Sequence, residues 1–73
     1  MNEAKLRKSI GSNLQKARKA KRLTQREVAE AVGLTTNYYA TLEQGAAIAS
    51  VETLYAVFKF LGVKASSIFP DRA

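Results

Sequence analysis

Apolar residues in the first third of the chain recur at the period of an α-helix. Spacings of four, four and three positions separate Leu6, Ile10, Leu14 and Ala17. That spacing places the four side chains on one side of a helix. Lysines and arginines fill much of the remaining surface. The pattern predicts a first amphipathic helix from about Ala4 to Lys21.

A second, shorter helix is indicated by a capping signal. Thr24 precedes Glu27 by three positions, the spacing of a capping box, in which each side chain accepts a hydrogen bond from the other residue's backbone N–H. The helix is therefore predicted to begin at Gln25. It should end near Gly33, because glycine adopts the left-handed conformation that ends a helix at little cost. Three apolar residues are predicted on its inward side: Val28, Ala29 and Val32.

A third helix is predicted over 36–44. Thr35 can cap its start, and Gly45 marks its end in the same way that Gly33 ends the second helix. Tyr39 and Leu42 are three positions apart and are predicted to face inward, against the second helix. Two short helices joined by a tight turn are the result.

The fourth predicted helix is unusually apolar. Ser50 caps it, Gly62 ends it, and five residues form its apolar stripe: Val51, Leu54, Val57, Phe58 and Leu61. Tyr55 and Phe60 widen the stripe beyond what one core face requires, so part of it is expected to be covered by another subunit. A short last helix around 65–68 precedes Pro70. The fold is therefore predicted to be all-α, with five helices.

Composition narrows the classes of function. The 73 residues suit one small domain, and the chain contains no cysteine and no histidine. Disulfides, thiolate zinc sites and the commonest general base are thereby excluded. No apolar run approaches the roughly 20 residues that span a bilayer, and the N-terminus lacks the apolar core of a signal peptide. We expect a cytoplasmic protein that is not an enzyme and has no cofactor, metal or membrane contact.

Positive charge is concentrated at one end of the chain. The net charge is +6, and nine of the twelve basic residues lie in the first 26 positions, where Glu3 is the sole acid. This distribution favours a polyanionic partner. A solvated helix surface or an anionic lipid surface would explain the charge as well. Charge alone leaves these three interpretations open.

Two sequence motifs distinguish between these three interpretations of the charge. The stretches LTQREVAEAVGL at 23–34 and YYATLEQG at 38–45 resemble the helix-turn-helix of phage Cro and C1 repressors, the XRE family. The resemblance covers 10–69 and implies a compact lambda-repressor-like DNA-binding domain with its helix-turn-helix at 25–44. Residues 1–9 would be the basic start of helix 1, and 70–73 a short tail.

The resemblance also implies how DNA would be contacted. The second helix of the motif lies in the major groove and the first crosses the phosphate backbone. Three residues on the outward side of the second helix of the motif carry amide or hydroxyl groups and are expected to contact bases: Thr36, Asn37 and Thr41. Phosphate contacts are expected from Gln25, Arg26, Thr35, Tyr38, Lys16, Lys19 and Arg22. Thr35 acting only as a cap and Tyr38 only covering the helix are the alternatives.

Two further expectations concern assembly. The family resemblance pairs Arg18 with Glu43, and we expect this ion pair to brace the third helix against the first. A two-fold dimer interface is predicted on the outer side of the fourth and last helices, at Tyr55, Phe60, Val63 and Phe69. The competing interpretation is that Phe60 and Phe69 close the monomer core.

The predicted function follows from these expectations. The chain should be a sequence-specific regulator of transcription that binds double-stranded DNA as a homodimer at a palindromic operator, with no small-molecule ligand. Its length resembles that of phage Cro-like repressors and of controller proteins of restriction-modification systems. The alternative is an antitoxin-like protein-interaction module that also regulates its own operon.

Overall fold

Five α-helices account for most of residues 2–70, which are the residues that the computed structural model describes. They are α1 (Glu3–Ala20), α2 (Gln25–Ala31), α3 (Thr36–Gln44), α4 (Val51–Leu61) and α5 (Ala65–Ile68). The all-α prediction is confirmed, with α1 displaced by one residue from the predicted bounds. Within 2–70 no helix is long and apolar enough to cross a membrane. Most of the predicted tail, 71–73, lies outside the described residues.

Side-chain caps fix the starts of the first four helices. The capping residues are Asn2, Thr24, Thr35 and Ser50. The side-chain oxygen of each accepts a hydrogen bond from the backbone N–H of the residue three positions later. The capping box is complete: Thr24 Oγ1 accepts from Glu27 N at 3.0 Å, and Glu27 Oε1 accepts from Thr24 N at 2.8 Å. These bonds satisfy N–H groups that lack a partner within the helix.

The core lies between α1 and the other four helices. Its largest fully buried side chains come from all five elements: Tyr39, Leu14, Leu61, Ile68, Val28 and Val57. Asn13 Nδ2 donates to the carbonyl oxygen of Ile68 at 2.7 Å, which fixes α5 against α1. One sequence prediction is wrong here, because Val51 is 78% exposed rather than on the inward stripe. It is the first residue of α4, one turn before the helix meets the core at Leu54.

α1 and α3 cross with their backbones in close contact. Gly11 is buried, and a Cβ atom there would lie 2.5 Å from the carbonyl oxygen of Leu42 and closer still to that of Glu43. At Gly45, which ends α3 with φ at +77°, a Cβ atom would lie 2.7 Å from the Cα of Lys8. The backbones of α1 and α3 are therefore in contact at Gly11 and Gly45, and this contact depends on the absence of a side chain at both positions.

Candidate nucleic-acid interface

α2 and α3 are joined by a tight turn and form one rigid unit. Gly33 adopts φ of +76°, and Leu34 N donates to the carbonyl oxygen of Ala29 at 2.8 Å. Ala29 and Tyr39 are fully buried where the two helices meet. The small alanine lets the helices cross closely, as the sequence indicates. The pair thus presents the far side of α3 to solvent in a fixed orientation.

The outer side of α3 is polar. Thr36, Asn37 and Tyr38 are exposed, and Thr41 is half-buried. The Thr41 hydroxyl donates to the carbonyl oxygen of Tyr38 at 2.6 Å, which leaves its methyl group and an oxygen lone pair for other contacts. Thr35 Oγ1 accepts from Tyr38 N at 3.1 Å, so the capping role of Thr35 is confirmed. The three expected base-contacting residues therefore all lie within the first six positions of one helix.

Gln44 is a polar residue on this surface that the sequence reasoning missed. It is exposed and lies seven positions after Asn37, so two helical turns place it on the same side of α3. Its amide offers the donor and acceptor pair that Asn37 also carries. The seven-residue spacing was the available signal. It is easily overlooked because Gln44 directly precedes the helix end at Gly45.

The Glu43 carboxylate is the centre of a buried polar network behind α3. Arg18 donates to it through Nε at 2.7 Å and through a terminal nitrogen at 3.1 Å, and Gln25 Nε2 donates at 3.0 Å. The Arg18 and Glu43 side chains are 9% and 1% exposed. Arg18 also donates to the carbonyl oxygen of Leu23 at 2.7 Å. One carboxylate thereby connects α1, α2 and α3.

Charge and burial shift the pKa values in this network. Burial alone would raise the pKa of the Glu43 carboxyl, but the hydrogen bonds from Arg18 and Gln25 hold that pKa below its ordinary value. The bond to Glu43 raises the pKa of Arg18. Burial raises the pKa of the Tyr39 hydroxyl, and the nearby Glu43 charge adds to the effect. The network is therefore an ionised pair beside a neutral tyrosine at neutral pH.

Three of the expected phosphate-contacting residues surround the start of α2. The Gln25 amide is directed inward to Glu43, whereas Arg26 is exposed and pairs with Glu30 at 3.1 Å. Arg22 is exposed and has φ of +58° at the position after Lys21, the C-cap of α1, where glycine is usual. Such a conformation disfavours a residue with a side chain by about 1–2 kcal/mol. An arginine is thus held beside the α2 N-terminus at a cost to the fold.

Lys16 and Lys19, also expected at phosphates, lie elsewhere. Both are exposed on the outer side of α1, together with Lys5 and Lys8. That side of α1 is centred about 110° from Gly11 and Arg18, which meet α3, although Lys8 at its edge lies beside Gly45 at the end of α3. The structure therefore does not bring these two lysines together with the outer residues of α3.

The expected dimer contacts fall into two groups. Tyr55 is 65% exposed and Phe69 is 37% exposed, with the Phe69 ring edge-on to that of Phe58 at 5.6 Å. Phe60 is 43% exposed but lies about 140° around α4 from Tyr55, at 3.6 residues per turn. Val63 is half-buried against the core. Neither Phe60 nor Phe69 is enclosed by the monomer.

An apolar face, defined by Ile48, Val51, Tyr55 and Phe69, surrounds the first of these groups. All four side chains are exposed. Two neighbouring grooves of about 430 and 250 Å³ run across this face and share Val51, Leu54 and Phe69 in their walls. A continuous apolar surface of this kind is typical of a region that another molecule covers.

Two capped helices, a left-handed glycine turn and an ion pair that fixes the second helix together define a helix-turn-helix domain. A helix-turn-helix family profile matches residues 14–68. The chain belongs to this family, in its Cro/C1 (XRE) branch.

Individual relatives agree with this assignment. An uncharacterized HTH-type transcriptional regulator, y4dJ, of Sinorhizobium fredii is 41% identical over 58 residues, which are 80% of this chain and 75% of the relative. The crystal structure of the clp gene regulator ClgR from Corynebacterium glutamicum superposes with a TM-score of 0.81 at 35% identity, over 86% of this chain and 82% of that one. The restriction-modification controller protein C.AhdI from Aeromonas hydrophila has a TM-score of 0.86 at 23% identity, over 94% and 100%, and shows the shared fold.

Proposed function

We propose that this helix-turn-helix regulator binds double-stranded DNA in a sequence-specific manner and controls transcription from a palindromic operator as a homodimer. The observation that carries the proposal is the exposed polar start of α3, Thr36 and Asn37, on a helix whose opposite side is locked by Glu43. A helix fixed in this way can enter the major groove without reordering. The relatives y4dJ, an HTH-type transcriptional regulator, and ClgR, a clp gene regulator, support a role in gene regulation.

Base recognition is assigned to the outer side of α3. Asn37 can form two hydrogen bonds with adenine, while Thr36 and Thr41 offer a hydroxyl group and a methyl group that suits thymine. Gln44 is added to this set because it shares the outer side with Asn37. The alanine at position 40 leaves room between them for a base edge.

Backbone contacts are assigned to the start of α2 and the flanks of α3. Arg22 and Arg26 supply charge there, and the free N–H groups of the α2 N-terminus can donate to a phosphate oxygen. The N–H groups of Gln25 and Thr35 and the hydroxyl of Tyr38 complete the set. These contacts set the register of the protein on the duplex and carry no sequence information.

Replacing Asn37 with alanine is expected to change which sequences are preferred. Loss of one good bidentate pair should cost the preferred site about 1–3 kcal/mol and leave binding to random duplex nearly unchanged. Selection of bound sites from random duplex DNA, followed by fluorescence anisotropy on the selected site and a scrambled one, measures both effects. Arg26→Ala is the matched control, because a lost phosphate contact should weaken both duplexes equally and lower the salt dependence by about one phosphate.

Two outcomes would contradict this assignment. If Asn37→Ala weakened both duplexes equally and kept the same preferred sequence, Asn37 would be a backbone contact. If the wild-type protein selected no sequence and its affinity did not change with salt, the proposal of sequence-specific DNA binding would be wrong.

Dimerisation is assigned to the apolar face of Ile48, Val51, Tyr55 and Phe69. A two-fold axis presents the same patch from both subunits, and the shared grooves can receive side chains from a second copy. Two recognition helices are then held for half-sites about 34 Å apart, which multiplies the specificity that one short helix provides. Phe60 and Val63 are peripheral to this interface because they lie beyond the face.

Tyr55→Glu is expected to abolish dimerisation while the monomer stays folded. The substituted residue is mostly exposed, so the monomer should lose no more than about 0.5 kcal/mol, whereas the interface would have to bury an unpaired charge. Sedimentation velocity at micromolar concentration, together with circular dichroism, measures both. Phe60→Glu is the matched control on the other flank of α4 and should remain dimeric. A monomeric wild-type protein, or a Phe60→Glu variant that dissociates while Tyr55→Glu does not, would contradict the assigned interface and favour a partner of another kind.

A further inference from the structure

The outer side of α1 carries a row of lysines that the proposed operator contacts do not use. This outer lysine face consists of Lys5, Lys8, Lys16 and Lys19, all exposed. At 3.6 residues per turn its centre lies about 180° from Ile10 and Leu14, and about 110° from the α3-facing residues Gly11 and Arg18. The face is therefore directed away from the core and lateral to the recognition helix, and Lys8 at its edge lies beside Gly45 at the end of α3.

The positive charge of this face is not neutralised within the chain. Within residues 2–70, none of the four lysines has a carboxylate at salt-bridge distance. Four of the acids there have other roles: Glu3, Glu30 and Glu43 pair with arginines, and Glu27 belongs to the capping box. The face thus presents two pairs of cations to solvent, about 12 Å apart along α1.

Helix stability does not explain this arrangement. Lys5 lies in the first turn of α1, where a cation opposes the helix dipole. Lysines three positions apart, as at 5 and 8 and again at 16 and 19, repel one another. Lys19 suits the last turn of α1, but Lys5 and the two repelling pairs are unfavourable for the helix, and a bound polyanion would reverse their effect.

The chemistry of the face favours duplex DNA as that polyanion. Lysine is depleted in protein–protein interfaces, which favour aromatic residues and arginine. Membrane binding needs an apolar side to insert, and the apolar residues of α1 face the core. Single strands are held by stacking on aromatic side chains, and this face has none. The row is about 21 Å long at 1.5 Å per residue, a length that follows about six base pairs of a phosphate backbone at 3.4 Å per pair.

We propose that the outer lysine face binds a second segment of duplex DNA without sequence preference while α3 holds the operator. The protein would thereby bridge two DNA segments. The inference rests on the proposed function, because it takes α3 as the operator-binding helix. In this proposal Lys16 and Lys19 contact the phosphate backbone of the second DNA segment instead of the phosphate backbone of the operator.

Capture of a second duplex by the operator complex tests this proposal. The operator, selected from random duplex DNA, is fixed to beads and saturated with protein, and retention of a fluorescent 20-base-pair random duplex is measured across a salt series. We compare the wild-type protein with Lys5→Gln/Lys16→Gln/Lys19→Gln. The matched control is Lys21→Gln/Lys59→Gln/Lys64→Gln, which removes the same charge outside the face. Circular dichroism verifies that both variants are folded.

We expect the face variant to lose retention of the second duplex and to keep its binding to the operator. The face variant should retain the random duplex at least tenfold less well, with a salt slope lower by about 2–3 because three phosphates are no longer neutralised. Its affinity for the operator alone should stay within about twofold, and the control variant should capture like the wild type. A wild-type complex that captures no second duplex would overturn the proposal.

Three other results would also overturn it. If the face variant captured as well as the wild type, another surface of the protein would be holding the random duplex. If it lost operator affinity in parallel, the lysines would contact the operator itself. If it lost binding to poly-glutamate but kept the second duplex, the face would serve an acidic protein. Failure of the selection step to yield any preferred sequence would instead count against the proposed function, since duplex capture can be measured without it.

Discussion

Gly11→Ala is expected to destabilise the domain by at least about 2 kcal/mol, although alanine is the better helix former by about 1 kcal/mol. The added methyl group would overlap the carbonyl oxygens of Leu42 and Glu43. Both belong to the backbone of α3, so no side-chain rotation relieves the overlap and the helices must separate. Overpacking of this kind costs about 1–3 kcal/mol or more. In a domain of this size the loss corresponds to roughly 10 °C or more in Tm.

Thermal and urea unfolding followed by circular dichroism measure the effect. Ser12→Ala, at the exposed neighbouring position on α1, is the control and should change the free energy of unfolding by no more than about 0.5 kcal/mol. A Gly11→Ala variant as stable as the wild type would show that α1 and α3 do not cross this closely. DNA affinity of the folded fraction should fall as well, because the crossing positions the end of α3.

Arg18→Ala is expected to destabilise the domain by about 3–5 kcal/mol. The substitution would leave the Glu43 carboxylate, 1% exposed, with Gln25 as its remaining donor. The penalty reflects an uncompensated buried charge more than the net contribution of the intact pair. Replacing both partners by methionine should therefore recover much of the loss.

Low pH should reduce the difference in the free energy of unfolding between Arg18→Ala and the wild type. The hydrogen bonds hold the folded-state pKa of Glu43 below its ordinary value, so the ion pair stabilises the wild type fully above the unfolded-state pKa of about 4.3. That contribution is lost as the pH falls through the folded-state pKa. Urea unfolding at pH 7 and pH 3 measures the trend. Arg7→Ala, which breaks an exposed pair with Glu3, is the control and should cost less than about 1 kcal/mol at either pH. Equal losses for both variants would contradict a buried role for Arg18.

The helices could be predicted from the sequence because their ends depend on local chemistry. The hydroxyls of Thr24, Thr35 and Ser50 bond to N–H groups three positions away, and the glycines at 33, 45 and 62 have positive φ. Such signals need no knowledge of the tertiary structure. The outer side of α3 follows from the same periodicity, once Tyr39 and Leu42 are recognised as core.

Features that depend on contacts between distant segments could not be predicted in this way. Gly11 lies inside a helical pattern and is required only because the end of α3 crosses it. Val51 fits the apolar stripe of α4 by spacing, but it lies beyond the part that other helices cover. The engagement of Gln25 with Glu43 joins residues 18 positions apart. The candidate DNA contacts remain predictions, since no contact within the monomer tests them.

The locked rear side of α3 has a consequence for how such a protein diversifies. Tyr39, Leu42 and Glu43 carry the packing and the ion pair, whereas the neighbouring outward side chains support no part of the core. Exchanges at Thr36, Asn37 or Gln44 should therefore be nearly neutral for folding. In the proposed mode of DNA binding, new operator preferences would then accumulate through single substitutions without compensating changes elsewhere. The residues proposed to recognise DNA are therefore separate from those that stabilise the fold. Duplicated copies of such a gene could diverge in target sequence while they share one core.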